Sequence, residues 1–389
     1  MTSLLSIVIL VLLAYTGSRF VQKRPLQNTS LKSIAFTGIV YIILGFLLSP
    51  NVLDIVTTEI TDQLKIVFSL VLGWAGFLIG LQTKISGLKR FPPKYYRYST
   101  LGFLIAFTIT FTLLYGIMNL WLQTAIGFHS LLVLSLAGAV TSPIMVAVVV
   151  RDHRVKARLS HLLQFNAAFD NLLGILLIGI IVLADAFWVR GATLITAVHG
   201  LVVLIVSVVA SGIYATLTKE KISAEENFLY VIGLLLFVVG SALYFGMSIL
   251  LAALIFGILT ANLSGSTRRL YQNIQQVEKP MYILLLIFAG LNVQLNMDFL
   301  LLVLFFLLHI LAKLFAEYIA NYSLGREERH SGWLGFGNIG MGGLSLALIL
   351  DFNLIYGSHE TGGLLLIVII ALFFQDGIAL QYLEKRLIK

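Results

Sequence analysis

Asp170 and Asn171 stand side by side in an otherwise apolar run, Asn166-Ala-Ala-Phe-Asp170-Asn171-Leu-Leu-Gly174. A carboxylate in the middle of a membrane span costs from about 3 kcal/mol to more than 10, so it is rarely kept without a task. The task that this one points to is binding and releasing a cation or a proton. Asn166 precedes Asp170 by four residues and shares its helix face, whereas Asn171 is rotated by about 100 degrees. Either amide oxygen could hold a dehydrated cation, or bond a neighbouring helix. Thr141 and Ser142, in Ala137-Gly138-Ala-Val-Thr141-Ser142-Pro143, add hydroxyl oxygens if their helix unwinds there. Oxygen ligands with one carboxylate suit a hard monovalent ion or a proton, since a transition metal would call for His or Cys.

A basic partner lies far along the chain, in His309-Ile-Leu-Ala-Lys313-Leu-Phe-Ala-Glu317. A buried lysine keeps its charge best beside a carboxylate. Lys313 is therefore expected to pair with Asp170 across the bundle, the pair opening when a cation or proton binds. Two other readings of Lys313 exist. It and Glu317 are four residues apart on one helix face and could pair locally, or Lys313 could snorkel to a nearby membrane surface.

The elements that must position these residues are membrane helices. The chain has 389 residues, 59% hydrophobic and 11% charged, against roughly 25% charged in a soluble domain. There is no Cys, which removes disulfides, thiolate metal sites and redox motifs. The net charge of +8 is spread in short clusters between apolar runs, an orientation signal and not a nucleic-acid surface. Runs of about 17 to 25 apolar residues give thirteen spans: approximately 3–18, 33–49, 63–82, 98–122, 129–150, 160–188, 193–217, 227–245, 248–263, 280–295, 298–321, 332–351 and 361–381. Alternate loops carry the Lys and Arg, and the others are nearly bare, Asp351 and Glu360 closing that second series. The alternation puts the N-terminus outside and the C-terminus in the cytoplasm.

Two stretches echo each other. Phe77-Leu-Ile-Gly80-Leu81-Gln82 ends the third span and Phe288-Ala-Gly290-Leu291-Asn292 the tenth. Each is followed by one more span and then by a Gly-rich, polar-interrupted one: the fifth, with Gly138 and Pro143, and the twelfth, with Gly335, Gly337, Gly340, Gly342 and Gly343. The third and tenth spans run in opposite senses, as two inverted-topology repeats require, and interrupted spans at matching places mark a midplane transport site. Pro143 cannot continue the intrahelical ladder, and glycines let the backbone unwind.

Three segments resemble the cation/proton antiporter superfamily, the sodium/proton exchanger group that includes potassium-efflux type transporters. They are Phe77-Leu-Ile-Gly80-Leu81-Gln82-Thr-Lys84, Ala168-Phe-Asp170-Asn171-Leu-Leu-Gly174-Ile, and Gly342-Gly343-Leu344-Ser-Leu-Ala347. The resemblance implies a homodimer with a dimerisation domain and a core domain, two broken helices crossing near the acidic site, and alternating access with a proton and a cation competing for one carboxylate. Lys313 falls where electrogenic members carry a lysine paired with the first acidic residue. On that register Asn171 replaces the main cation-binding aspartate. On the other, Asp170 is that aspartate and Phe169 replaces its polar neighbour. Leu344 stands where some members have an acidic residue.

The expected protein is an all-α polytopic membrane transporter, one unit over 1–389, with core elements at about 63–188 and 280–381 and scaffold elements at about 1–50 and 193–263. It exchanges Na⁺ or K⁺ for H⁺, electroneutrally, with Asp170 as the shared site. It needs no cofactor or resident metal, binds no nucleic acid, and sits among lipid in a prokaryotic cytoplasmic membrane as a homodimer, with an accessory subunit possible. The alternatives are an antiporter-like subunit acting as sensor or channel, and a sodium-coupled organic anion symporter with a cavity lined by basic or amide groups.

Overall fold

The computed structural model describes residues 38–375 apart from 125, 153–156, 189–193, 220–222, 264–266, 297, 325–337 and 358–362. The described residues form helices α1 (Ile39–Leu48), α2 (Lys65–Gln82), α3 (Pro93–Tyr115), α4 (Phe128–Ala139), α5 (Pro143–Asp152), α6 (Ala157–Trp188), α7 (Leu194–Leu217), α8 (Ala224–Tyr244), α9 (Ile249–Leu263), α10 (Thr267–Leu291), α11 (Phe299–Asn321), α12 (Gly343–Tyr356) and α13 (Gly363–Gln375). Six stretches, in α2, α3 with its continuation to Trp121, α6, α7, α8 and α11, are long and apolar enough to cross a membrane. The protein is an integral membrane protein. Large apolar side chains such as Leu120, Trp121, Phe237, Phe299 and Leu311 face outward, as lipid contact demands. The expected first span, Gly335, Gly337 and Asp376 lie outside the described residues.

The fifth span is two helices. Residues 140–142 are non-helical between α4 and α5, and 338–342 are non-helical before α12. Pro143 does not kink a helix; it opens one, at a position where its missing N–H costs nothing. Gly138 is still inside α4, one residue short of its end. Gly340 and Gly342 lie in the second break, and Gly343 is the first residue of α12.

The tenth span was expected to begin near residue 280, but α10 starts at Thr267 and carries Pro280 inside it. Its first turns, Thr-Arg-Arg-Leu-Tyr-Gln-Asn-Ile, are too polar to read as part of an apolar run. Leu270 and Ile274, four apart, are nonetheless fully buried, so amphipathic periodicity holds the extension.

The glycine echo becomes a joint built twice. A Cβ at Gly80 would lie 2.4 Å from Leu254 O, and one at Gly257 2.4 Å from Phe77 O, where α2 crosses α9. A Cβ at Gly290 would lie 2.1 Å from Ile42 O, and one at Gly45 2.1 Å from Ile287 O, where α10 crosses α1. In both joints each glycine meets the carbonyl three residues before the other glycine. The first joint continues one turn back along α2, where a Cβ at Gly76 would lie 2.5 Å from Leu250 O. Small residues let membrane helices approach this closely and gain dispersion contacts. Gly290→Ala is therefore expected to cost about 1–3 kcal/mol or more by overpacking, read as a lower unfolding temperature of the purified protein. An unchanged unfolding temperature would show the joint to be looser than it is here.

Asp351 is not a loop charge. It is fully buried within α12, where it accepts hydrogen bonds from Ile249 N at 2.9 Å, Leu250 N at 3.4 Å and Ser248 Oγ at 2.6 Å. The carboxylate thus caps α9, whose first N–H groups have no partner within their own helix.

Candidate functional site

The two breaks meet. Ser142 N donates to Gly340 O at 2.9 Å, and a Cβ at Gly342 would sit 3.1 Å from Ser142 Oγ. Ser142 Oγ in turn accepts Met145 N at 3.3 Å and caps α5. Ser345 Oγ, in the first turn of α12, donates to Ala137 O at 2.8 Å and so satisfies a carbonyl at the end of α4. Unwound backbone inside a membrane is tolerated only where protein groups take over the lost bonds.

Lys313 takes the largest share of that work. It is 3% exposed, and Nζ donates to Val140 O at 2.6 Å, Asn338 O at 2.7 Å and Thr141 Oγ1 at 3.3 Å. An ammonium here also balances the negative end of α4. This lysine reaches into the crossing of the two breaks, and the snorkelling reading does not describe it.

Asp170 is also 3% exposed. Its Oδ2 accepts Thr141 Oγ1 at 2.7 Å and Asn166 Nδ2 at 3.1 Å, the latter across one helical turn as the spacing requires. The Thr141 hydroxyl therefore joins Asp170 to Lys313, accepting from the ammonium and donating to the carboxylate. Asp170 Oδ1 has no hydrogen-bond partner among the described residues, and neither has the buried Asn171 Oδ1. Buried polar atoms are nearly always paired, so two orphan oxygens on adjacent residues call for an explanation.

Asn171, Thr141 and Ser142 line a cavity of about 950 Å³. Most of its wall is apolar, with Trp74, Leu78, Phe165 and Tyr282, and it also carries Gln82, Gln164, Gln275, Glu278 and Lys279. Phe169 shows a ring to this cavity while packing between Phe165, stacked at 5.4 Å, and Tyr96, edge-on at 5.3 Å. The side chain at 169 thus belongs to an aromatic cluster, and the amide at 171 faces the cavity.

Glu317 is 8% exposed. It accepts a short hydrogen bond from the fully buried Tyr98 hydroxyl on α3, and Asn338 Nδ2 donates to its Oε1 at 2.9 Å. Tyr98 and Asn338 were not anticipated as site residues. Tyr98 lies 219 residues from Glu317, and nothing in its own neighbourhood signals the contact. Asn338 had a signal, an amide inside a Gly-rich interruption, which sequence reasoning left unused.

A second polar cluster lies at the other end of α6. Asp185 Oδ1 is 2.8 Å from His129 Nε2, and Tyr356 OH donates to Oδ2 at 2.5 Å. His129, at the start of α4, thereby helps to fasten α4, α6 and α12 together.

The sodium/hydrogen exchanger transmembrane family matches residues 7–385. The chain belongs to that family. It is a cation/proton antiporter by membership, and the resemblance expected from Gly80, Asp170 and Gly342 holds. Its fold is that of the sodium proton antiporter MjNhaP1 from Methanocaldococcus jannaschii: the structure at pH 8 is 18% identical over 100% of both chains, with a TM-score of 0.69. An electron-microscopy structure of the same antiporter covers 88% of this chain and 87% of its own at 18% identity, with a TM-score of 0.55. No curated protein matches this exchanger.

Proposed function

We propose that this family member exchanges Na⁺ or K⁺ for H⁺, one for one, at a site made by Asp170 with Asn171, Asn166, Thr141 and Ser142. The observation that carries the reading is the pair of orphan oxygens, Asp170 Oδ1 and Asn171 Oδ1, beside the cavity that Asn171 lines. One is a carboxylate that can take a proton, and both are hard oxygen ligands for a monovalent ion. Phe169 and Asn171 both border the cavity, and Asp170, joined to Lys313 through Thr141, is the exchanging carboxylate in either register. Lys313 holds both breaks and senses Asp170 through Thr141. The core elements 63–188 and 280–381 are proposed to move against the scaffold in a homodimer, exposing the site to either side in turn. The cavity carries the amides of Gln82, Gln164 and Gln275 as well as Glu278 and Lys279, so the choice of a small cation over an organic anion rests on the orphan oxygens.

Purified protein in liposomes with a trapped pH indicator tests this. Adding Na⁺ or K⁺ outside, but not choline, is expected to drive protons out of the lumen. A step moving one net charge would feel about 2.3 kcal/mol at ~100 mV, close to fiftyfold in rate. One-for-one exchange is expected to change by less than about twofold under that potential. A large voltage response would sink the stoichiometry, and no cation-driven flux would sink the reading itself.

A further inference from the structure

Glu317 is the buried carboxylate that the exchange scheme leaves without a task. It shares a face of α11 with Lys313, one turn away, and both its oxygens are held, one by Tyr98 and one by Asn338. Asn338 links the two charges directly: its carbonyl accepts from Lys313 Nζ while its side-chain amide donates to Glu317. Lys313 thus stands between two carboxylates, reaching Asp170 through Thr141 and Glu317 through Asn338. His309, one turn earlier on the same face, is also buried but meets the amide of Gln375 at 3.1 Å. Among the described residues the enclosure holds two acids and one ammonium.

We infer that Glu317 is the fixed counter-charge of Lys313, a positioning residue that leaves Asp170 as the one unmatched negative charge, to be matched alternately by a proton and by a cation. The inference rests on the exchange reading above. Were Asp170 the sole match for Lys313, an arriving cation would leave an uncompensated positive charge in a low-dielectric site, where such a charge is costly. With Glu317 in place, the site sums to zero in both loaded forms. A proton and a monovalent cation give the two loaded forms equal charge with or without Glu317, so what Glu317 sets is that this charge is zero and not +1, which lowers the cost of carrying either form through a low-dielectric site.

The test uses the full chain in liposomes, with Na⁺ and K⁺ as the probes. Glu317→Gln is expected to lower cation-driven proton flux about a hundredfold, as is Lys313→Met, because each leaves a buried charge unmatched. The double variant carries one net negative charge again, and its flux is expected to stand at least about tenfold above Lys313→Met, which has lost the same donor to the two breaks. Glu317→Asp, which keeps the charge, is expected to retain most of the flux. The rise in unfolding temperature on adding cation gives a second readout, lost in Glu317→Gln and regained in the double variant. Wild-type flux and cation response in Glu317→Gln would overturn the inference, and so would a double variant no better than Lys313→Met. If Glu317→Gln does not fold, Glu317→Asp and the comparison of the double variant with Lys313→Met decide: flux kept in the first and raised in the second upholds the charge match, and loss in the first or no rise in the second overturns it. Wild-type flux in Asp170→Asn would instead remove the exchange reading as a whole.

Discussion

Asp170→Asn is expected to abolish cation-driven proton flux and to leave the fold standing. The amide keeps the size of the carboxylate and can still accept from Thr141, whose bond to Oδ2 is 2.7 Å long. What it removes is the negative charge and the proton-accepting oxygen. An unmatched charge in a buried site is worth about 3–5 kcal/mol, which corresponds to a loss of about 10² to several times 10³ in cation affinity. Stability should move little or rise, because Lys313 and Glu317 then balance each other. Flux in liposomes together with the unfolding temperature checks both halves of the expectation. Activity in this variant would sink the role of Asp170.

Lys313→Ala is expected to give the opposite profile, loss of exchange together with loss of stability. The ammonium serves Val140 O, Asn338 O and Thr141 Oγ1, so its removal strips both breaks of a shared donor. It also leaves Asp170 and Glu317 facing each other without a cation between them. Breaking a buried ionic arrangement by deleting one partner costs about 3–5 kcal/mol. The measurement is the fall in unfolding temperature against wild type and against Asp170→Asn at the same pH. Equal stability of the two variants would show that Lys313 does not hold the breaks together.

The sequence carried the helices that bury an apolar stripe or a polar interruption, and little of what depends on contacts across the bundle. Asp170, Lys313 and Thr141 were legible because a charge or a Thr-Ser-Pro step in an apolar run has a cost that can be read locally. The Gly80 and Gly290 echo was legible as a pattern, but its physical content, a shared backbone joint with Gly257 and Gly45, needed the packing. The first turns of α10 were missed because their apolar residues are sparse, with Leu270 and Ile274 doing the burying. Asp351 was misplaced for a related reason: a carboxylate near the end of an apolar run looks like a loop charge unless the helix that it caps is known. Tyr98 was invisible because a tyrosine in a membrane helix is common, and only Glu317 from a distant segment gives it a task.

The cavity beside Asn171 has a consequence for how this exchanger would tell one alkali ion from another. Its volume of about 950 Å³ leaves room for an ion with its first waters, and Trp74, Leu78, Phe165 and Tyr282 offer that ion little in exchange for them. On the proposed reading an ion would enter still hydrated, meet scattered oxygens at Gln82, Gln164, Gln275 and Glu278, and find them clustered at Asn171, Thr141 and Ser142. Full dehydration, the step at which Na⁺ and K⁺ differ most, would then fall to Asp170 and the oxygens around it, so preference would change there while the approach stays the same.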